Sequence, residues 1–312
     1  MSQTKTIAAA YLKESNLILS NKGKTFFWAK FLLSQQHAEK AVRLYRFCRY
    51  IDDIGDETTD KVVAKKILEA IIQSLKTGSS DHQVIRDAIS LFNACEIDIQ
   101  IPISLIQGVI SDLKLVRFKD EQALLIYCYQ VAGTVGLMMS KLLDVKDERA
   151  FAHAIDLGIA MQMTNICRDV KEDAMMNRRY LPESLIGKIE PSALVKPNAH
   201  TQNKIRKALA KLLDMADQYY LSGYNGLCFL PSRARVGILI AATLYQHIGV
   251  ILKNKNYACW AFRSVVSKYQ KAWLTLKILP SAILDMRLFF YLSSHNPVLH
   301  LAIKKLPYAH KK

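Results

Sequence analysis

The chain has 312 residues, of which 51% are apolar and only 12 are glycine and 8 proline. This composition supplies a sizeable core and excludes extended disorder. The 43 lysines and arginines outnumber the 27 aspartates and glutamates, and the formal net charge of +16 suits an acidic partner such as nucleic acid, anionic lipid or a diphosphate. The basic residues are spread along the chain without zinc-finger spacing or an aromatic RNA-binding motif, so we expect no nucleic-acid partner.

Six cysteines lie far apart in the sequence and form no CxxC pair, which favours reduced, buried thiols and a cytoplasmic location. The N-terminal residues contain no continuous apolar segment followed by a cleavage site, and no uninterrupted apolar run reaches about 18 residues. We therefore expect neither export nor a membrane-spanning helix.

Apolar residues recur with helical spacing along nearly the whole chain, which predicts an all-α fold. No segment has the composition of a linker, so we expect one domain over residues 1–312, built as a large helical bundle. The predicted helices cover about 4–20, 37–56, 60–76, 82–94, 102–115, 120–143, 148–174, 203–222, 231–253 and 260–279. Residues 175–202 contain three prolines and lose the periodicity, which predicts a long loop of the kind that often serves as a lid.

The segment LYRFCRYIDDIGDE places polar side chains on one stripe of a helix. Tyr45, Arg49, Asp52 and Asp56 follow i, i+4, i+7 and i+11, with apolar residues beside them. A lone pair of aspartates at this spacing is more often a solvated acidic turn, and like charges one turn apart destabilise an isolated helix.

A second stripe about 117 residues later favours a functional site over a solvated acidic turn. Gln162, Asn165, Asp169 and Asp173 again share one helix face and present an amide followed by two carboxylates. Magnesium prefers oxygen ligands and is usually held by one or two carboxylates together with substrate phosphates. The paired stripes therefore predict a metal–diphosphate site across a bundle. Nearby cations that suit diphosphate oxygens are Arg49, Arg168, Lys171, Arg178 and Arg179.

Between these stripes, Ala132, Gly133 and Gly136 lie inside a strong helical pattern, although each glycine costs roughly 1 kcal/mol relative to alanine. Either close helix packing or space for a ligand chain accounts for them.

Four segments together resemble the squalene/phytoene synthase family, particularly its bacterial phytoene synthase branch, over about residues 20–277. They are LYRFCRYIDDIGDE, YCYQVAGTVGLMM, NICRDVKEDAMMNRRYLP and the long segment that begins GLCFLPSRARVG. The resemblance implies the class I isoprenoid synthase fold around a central cavity. It also implies prenyltransferase activity in carotenoid biosynthesis: two geranylgeranyl diphosphates condense head to head, through prephytoene diphosphate, to phytoene and free diphosphate.

Two alternatives remain open. A thirty-carbon squalene, dehydrosqualene or presqualene diphosphate synthase shares the same acidic residues, and a non-catalytic assembly factor shares the fold. The paired carboxylates argue against the assembly factor, because a scaffold has no physical need for them.

The resemblance also implies roles for individual residues. The expected Mg²⁺ ligands, with Mn²⁺ as a tolerated substitute, are Asp52, Asp56, Asn165, Asp169 and Asp173. The four aspartates act in catalysis together with Tyr45 and Arg49. The expected substrate-binding residues are Thr25, Tyr127, Gln162, Arg168, Tyr245 and Arg263. Candidates for an apolar wall around the reacting chains are Phe26, Met138, Met139, Leu142, Ile159, Met161 and Tyr245.

One early segment departs from the family pattern. Residues 22–26 are Lys-Gly-Lys-Thr-Phe where the family has His-Ser-Lys-Ser-Phe, so Thr25 remains as the one hydroxyl donor. No glycine-rich dinucleotide fingerprint follows a strand, so we expect no NADPH.

The segment from about residue 288 to 312 is short and basic. Together with the net charge it predicts peripheral contact with anionic lipid, at the inner face of the membrane, unless the tail is simply solvated.

Overall fold

The structure is a computed structural model that describes residues 14–20, 27 and 30–309. Within these ranges the chain is all-α, as predicted, and its one β-type pairing is an isolated bridge between Arg117 and Arg179. The α-helices from residue 35 onwards are α1 (Gln35–Glu57), α2 (Lys61–Thr77), α3 (Gln83–Ala94), α4 (Gln100–Asp112), α5 (Glu121–Cys128), α6 (Thr134–Leu142), α7 (Arg149–Arg168), α8 (Val170–Met175), α9 (Glu183–Ile186), α10 (Pro191–Val195), α11 (Ala199–Asn225), α12 (Ser232–Asn254) and α13 (Lys268–Leu284).

The predicted helix 4–20 lies outside the described residues before residue 14. Among the others, three differ from the observed helices by more than a few residues at their ends. The helix expected over 120–143 contains a π-helical turn at Tyr129–Gly133, between α5 and α6. The helix expected over 148–174 is interrupted at Asp169, where α7 ends and α8 begins. The helix expected from residue 260 starts only at Lys268, because Ser267 and Gln270 form a capping box there.

Helix α7 lies at the centre of the bundle and packs against α6, α11, α12 and the π-helical turn. Two glycines, one on α6 and one on α7, allow this close approach. A Cβ on Gly136 would lie 2.1 Å from the Ala154 carbonyl oxygen, and one on Gly158 would lie 2.2 Å from the Ala132 carbonyl oxygen. Ala132 and Gly136 also line the central cavity. These small residues therefore serve both close helix packing and space for a ligand.

Residues 175–202 are not the open loop that was expected. They contain α9 and α10, and the side chains of Leu181, Ile186 and Leu194 are buried. Arg179, expected to be a diphosphate contact, is 2% exposed and donates to the Gly187 and Ile189 carbonyl oxygens at 2.9 and 3.1 Å. Its guanidinium therefore holds this segment together and does not face a ligand.

The C-terminal segment is docked on the bundle as far as residue 309. Tyr219 donates a hydrogen bond to the Leu299 carbonyl at 2.7 Å, and Tyr129 donates to the Pro307 carbonyl. Ile303 and Ala309 are buried. Residues 297–309 therefore pack on the bundle, while the basic side chains of Lys304 and Lys305 remain exposed.

Two helical stretches, Glu121–Leu142 and Ser232–Asn254, are long and apolar enough to cross a membrane by length and composition. Half of each apolar window is buried inside the bundle, and both stretches contribute side chains to the cavity, as core helices of a folded domain do. All six cysteines are free. Cys95, Cys128, Cys167 and Cys259 are buried, as expected, whereas Cys48 and Cys228 are only partly buried.

Candidate active site

A cavity of about 310 Å³ runs through the bundle between α1, the segment from the π-helical turn to α6, α7 and α12. Asp52, Asn165 and Gln162 line one end, while His153 and Leu230 line the other. Asn165 and His153 are separated by 12 residues of α7, which corresponds to roughly 18 Å along the helix axis. The cavity thus joins a polar end to a long apolar interior.

The predicted apolar wall is confirmed only in part. Met139, Met161 and Tyr245 line the cavity. In contrast, Met138, Leu142 and Ile159 are fully buried in the surrounding core, so their side chains support the wall from behind. Phe26 and the expected donor Thr25 lie outside the described residues.

The first carboxylate pair stands on the last turns of α1. The Asp52 side chain faces the cavity and keeps access to solvent, yet the protein atoms around it bury it enough to raise its pKa to about 7, with Asp56 adding a like charge. The Asp56 carboxylate pairs with the Arg178 guanidinium at 2.8 Å. Arg178 follows α8, so this ion pair joins the two acidic stripes.

Arg49 and Tyr45 lie one and two turns before this pair. The Arg49 guanidinium contacts the Asp53 carboxylate and lies 3.9 Å from Glu57, and its charge also acts on Asp52. Tyr45 lines the cavity, and burial raises the pKa of its hydroxyl to about 12, so it stays protonated at neutral pH.

The second carboxylate pair continues through the break between α7 and α8. The Asp169 amide donates to the Asn165 carbonyl at 2.9 Å, and the Asp173 amide donates to the Asp169 carbonyl at 2.8 Å. These bonds keep helical spacing across the interruption, so the three side chains remain on one face, as predicted.

The two aspartates of this pair have different electrostatic surroundings. Burial would raise the pKa of Asp169, but hydrogen bonds from Arg168 and Arg263 outweigh it and hold the pKa below its ordinary value. Burial together with the charge of Asp169 raises the pKa of Asp173 to about 8. Two arginines thus balance the negative charge of Asp169, whereas no cation fully balances a negative charge on Asp173.

Asp112, at the end of α4, is a site carboxylate that sequence reasoning missed. Burial raises its pKa to about 6, and the charges of Arg178 and Asp56 both act on it. Tyr127, expected to bind substrate, instead donates a hydrogen bond to Asp112 at 2.6 Å and does not line the cavity. Asp112 has no second carboxylate four residues away on the same helix face, so no sequence pattern marks it as a site residue.

The remaining predicted residues divide between the cavity and its rim. Gln162 and Tyr245 line the cavity. Arg168 is well covered beside Asp169, and Arg263, whose side chain is half exposed, reaches the same carboxylate from the segment before α13.

The donor set at the polar end fits magnesium. It consists of carboxylate and amide oxygens, and the Asn165 Oδ1 and Asp112 Oδ1 atoms are buried without a hydrogen-bond partner among the described residues. Buried oxygen acceptors of this kind are costly unless a donor or cation satisfies them. Together with the raised pKa values of Asp52, Asp112 and Asp173, they indicate a place where positive charge binds.

The family model for squalene/phytoene synthase matches residues 19–270, which include both acidic stripes and most of the cavity. The chain belongs to the squalene/phytoene synthase family. Among its relatives, a phytoene synthase of Pseudescherichia vulneris is 31% identical over 83% of this chain and 88% of its own length. A 15-cis-phytoene synthase of Pantoea ananas is 31% identical over 81% and 86%.

Solved structures of this family share the fold. A dehydrosqualene synthase superposes with a TM-score of 0.77 at 24% identity, over 89% of this chain and 98% of that one. A squalene synthase of Alicyclobacillus acidocaldarius gives a TM-score of 0.70 at 17% identity, over 81% and 96%. The class I isoprenoid synthase fold expected from the sequence is therefore confirmed.

Proposed function

We propose that this protein condenses two geranylgeranyl diphosphates head to head to phytoene. The observation that carries the proposal is the oxygen-rich, partly uncompensated acidic end of an apolar cavity in a chain whose family relatives include phytoene synthases. The reaction breaks two carbon–oxygen bonds with release of two diphosphates, and it loses two protons: one as the cyclopropyl intermediate forms and one after that intermediate ionises and rearranges. Diphosphate is a poor leaving group until its charge is neutralised, so electrostatic stabilisation is the main requirement.

Asp52, Asp56, Asn165, Asp169 and Asp173 are the residues that would hold Mg²⁺, and Asp112 stands close enough to influence them. When bound, magnesium supplies charge neutralisation for the diphosphate oxygens. Mn²⁺ has the same ligand preference and is expected to substitute.

The arginines provide the second source of positive charge. Arg168 and Arg263 pair with Asp169, and Arg178 pairs with Asp56. On substrate binding, these guanidinium groups can exchange a carboxylate for diphosphate oxygens, for which their forked geometry is well suited.

The interior of the cavity keeps water away from the allylic cation that ionisation leaves. Met139, Met161 and Leu157 supply apolar surface, and the Tyr45 and Tyr245 rings add aromatic faces near the polar end. A dry wall of this type favours carbon–carbon bond formation over capture by water.

The test is product analysis with the purified full-length chain, Mg²⁺ and either geranylgeranyl or farnesyl diphosphate, without NADPH. We expect phytoene from the twenty-carbon substrate and at most slow turnover of the fifteen-carbon one. Dominant squalene-type or presqualene products would replace the forty-carbon assignment with the thirty-carbon alternative. No product from either substrate, with folding intact, would favour the assembly-factor alternative.

We further propose that the protein works at an anionic membrane surface, where its substrates and product partition. Tyr269, Trp273 and Leu276 follow i, i+4 and i+7 on α13 and are 88%, 59% and 72% exposed. Such an aromatic and apolar stripe on a protein of net charge +16 suits peripheral binding to acidic lipid.

Vesicle sedimentation tests the membrane proposal. Binding should be stronger to anionic than to neutral vesicles and should weaken as salt rises, because screening shortens the reach of the charges. Leu276→Ala should weaken binding, whereas Leu221→Ala, at another exposed leucine on α11, serves as the control. Equal binding of both variants would exclude the α13 stripe as the contact surface.

A further inference from the structure

A second polar cluster lies at the opposite end of α7 from the acidic site. Asp156 is fully buried in the N-terminal half of this helix, one turn after His153, which lines the far end of the cavity. His295 Nε2 lies 2.8 Å from Asp156 Oδ2, and His300 Nε2 lies 2.8 Å from Asp156 Oδ1. The three donor atoms are all within 4.8 Å of one another.

The hydrogen bonds of His300 require a cation in this cluster. Its Nδ1 lies 2.8 Å from the Ala309 carbonyl oxygen, which can only accept, so Nδ1 carries a proton. In the neutral ring Nε2 then presents a lone pair toward a carboxylate oxygen of Asp156. That repulsion is removed by a further proton, on the ring or on the carboxylate, or by a metal ion between the two atoms.

The surroundings match those of protein-bound transition metals. Metal-binding histidines usually donate their other ring N–H to a carbonyl or carboxylate, as His300 does to Ala309. The Asp156 carboxylate is oriented by Ser222, which donates to Oδ2 at 2.5 Å and is itself bonded to His153 Nδ1 at 3.0 Å.

We propose that Asp156, His295 and His300 bind a divalent transition-metal ion of the Zn²⁺ class, which fastens the C-terminal segment to α7. Two imidazoles and one carboxylate form a ligand set of intermediate softness, which suits zinc. The all-oxygen set at the other end of the cavity is hard and suits magnesium. Zinc–ligand bonds of about 2.0–2.2 Å require donor atoms about 3.3 Å apart, so the histidines need to move outward by roughly half an ångström.

The position of the site gives it a structural role independent of the proposed activity. His295 and His300 flank Leu299, whose carbonyl accepts a hydrogen bond from Tyr219, and Tyr129 binds the Pro307 carbonyl further along the segment. A metal ion at Asp156 would therefore close the bundle behind the far wall of the cavity and reduce the mobility of residues 295–309.

Cobalt titration of the chelator-treated, full-length chain in excess Mg²⁺ tests the proposal. Excess Mg²⁺ fills the oxygen site, so we expect one Co²⁺ per chain with the intense visible bands of a four-coordinate, nitrogen-ligated ion, and Zn²⁺ should displace it. His295→Gln should abolish these bands, and Ser222→Ala should weaken binding by roughly 10- to 100-fold. His200→Gln, at an exposed histidine of α11, should leave the titration unchanged.

His295 is the safer position for the test because its side chain keeps 16% exposure, whereas that of His300 is almost fully buried. If the wild-type chain gives no nitrogen-ligated cobalt spectrum, the cluster holds a proton alone and the proposal is overturned. The same conclusion follows if His295→Gln binds Co²⁺ as well as the wild type does.

Discussion

The two ends of α7 place aspartates in the protein interior in opposite ways. At the Asp156 end, hydrogen bonds from two histidines compensate a fully buried carboxylate and lower its pKa. At the cavity's polar end, Asp173 remains uncompensated, and its pKa rises to about 8. A buried carboxylate whose partners belong to the fold stabilises the folded state, with or without a structural metal ion. One without such partners favours a cation that binds together with the substrate.

The largest effect should follow from neutralising a carboxylate at the polar end. Asp52→Asn and Asp169→Asn should each reduce turnover by about 10²–10³-fold, because charge stabilisation of the departing diphosphate is lost. Steady-state assays with Mg²⁺ measure this, at helical content matched by circular dichroism. Asp81→Asn, at an exposed position before α3, is the control. Wild-type turnover in either site variant contradicts the assignment of these residues.

The same substitution at the other end should damage stability. Asp156→Asn should lower the free energy of unfolding by about 3–5 kcal/mol, because it leaves buried imidazoles without their carboxylate. Denaturant titration of chelator-treated protein measures the change. Asp144→Asn removes a comparable but half-exposed partner of His37 and Lys40 and should cost at most about 1 kcal/mol. If Asp156→Asn and Asp144→Asn lower the free energy of unfolding equally, burial does not make the Asp156 carboxylate more important than a half-exposed one.

Asp173→Asn should have the opposite sign and should stabilise the metal-free protein. The folded-state pKa of Asp173, about 8, lies above that of an unfolded aspartate, so the folded state binds the proton more tightly. The cost of ionising this group is absent at low pH and grows as pH rises toward 8. The melting temperature of the variant should therefore exceed that of the wild type more at pH 8 than at pH 5. A pH-independent difference would show that charge is not the cause.

The smallest effect concerns magnesium itself. Mg²⁺ should raise the stability of the wild-type chain by roughly 1–3 kcal/mol at 10 to 100 times its dissociation constant, because it binds the folded state alone. Thermal melts with and without chelator measure the shift, and Asp173→Asn should reduce it. If the melting temperature stays unchanged over this range of Mg²⁺ concentration, the acidic end of the cavity does not bind the ion.

Helical periodicity alone was enough to predict the two stripes. Asp52 and Asp56, and likewise Asn165, Asp169 and Asp173, share a helix face because 3.6 residues per turn places them there, and even the break at Asp169 preserves the spacing. The family's motifs then predicted the fold. Local sequence sufficed because these features depend on neighbours within a few turns of one chain segment.

Only the tertiary structure decided which charges meet. Arg178 reaches Asp56 from 122 residues away, and Tyr127 on α5 donates a hydrogen bond to Asp112 on α4. His295 and His300 lie 139 and 144 residues from Asp156, so no spacing rule links them. Pairings of this kind depend on how whole helices pack, because the partner that lowers the free energy of a buried charge is set by distance in space and not by distance along the chain.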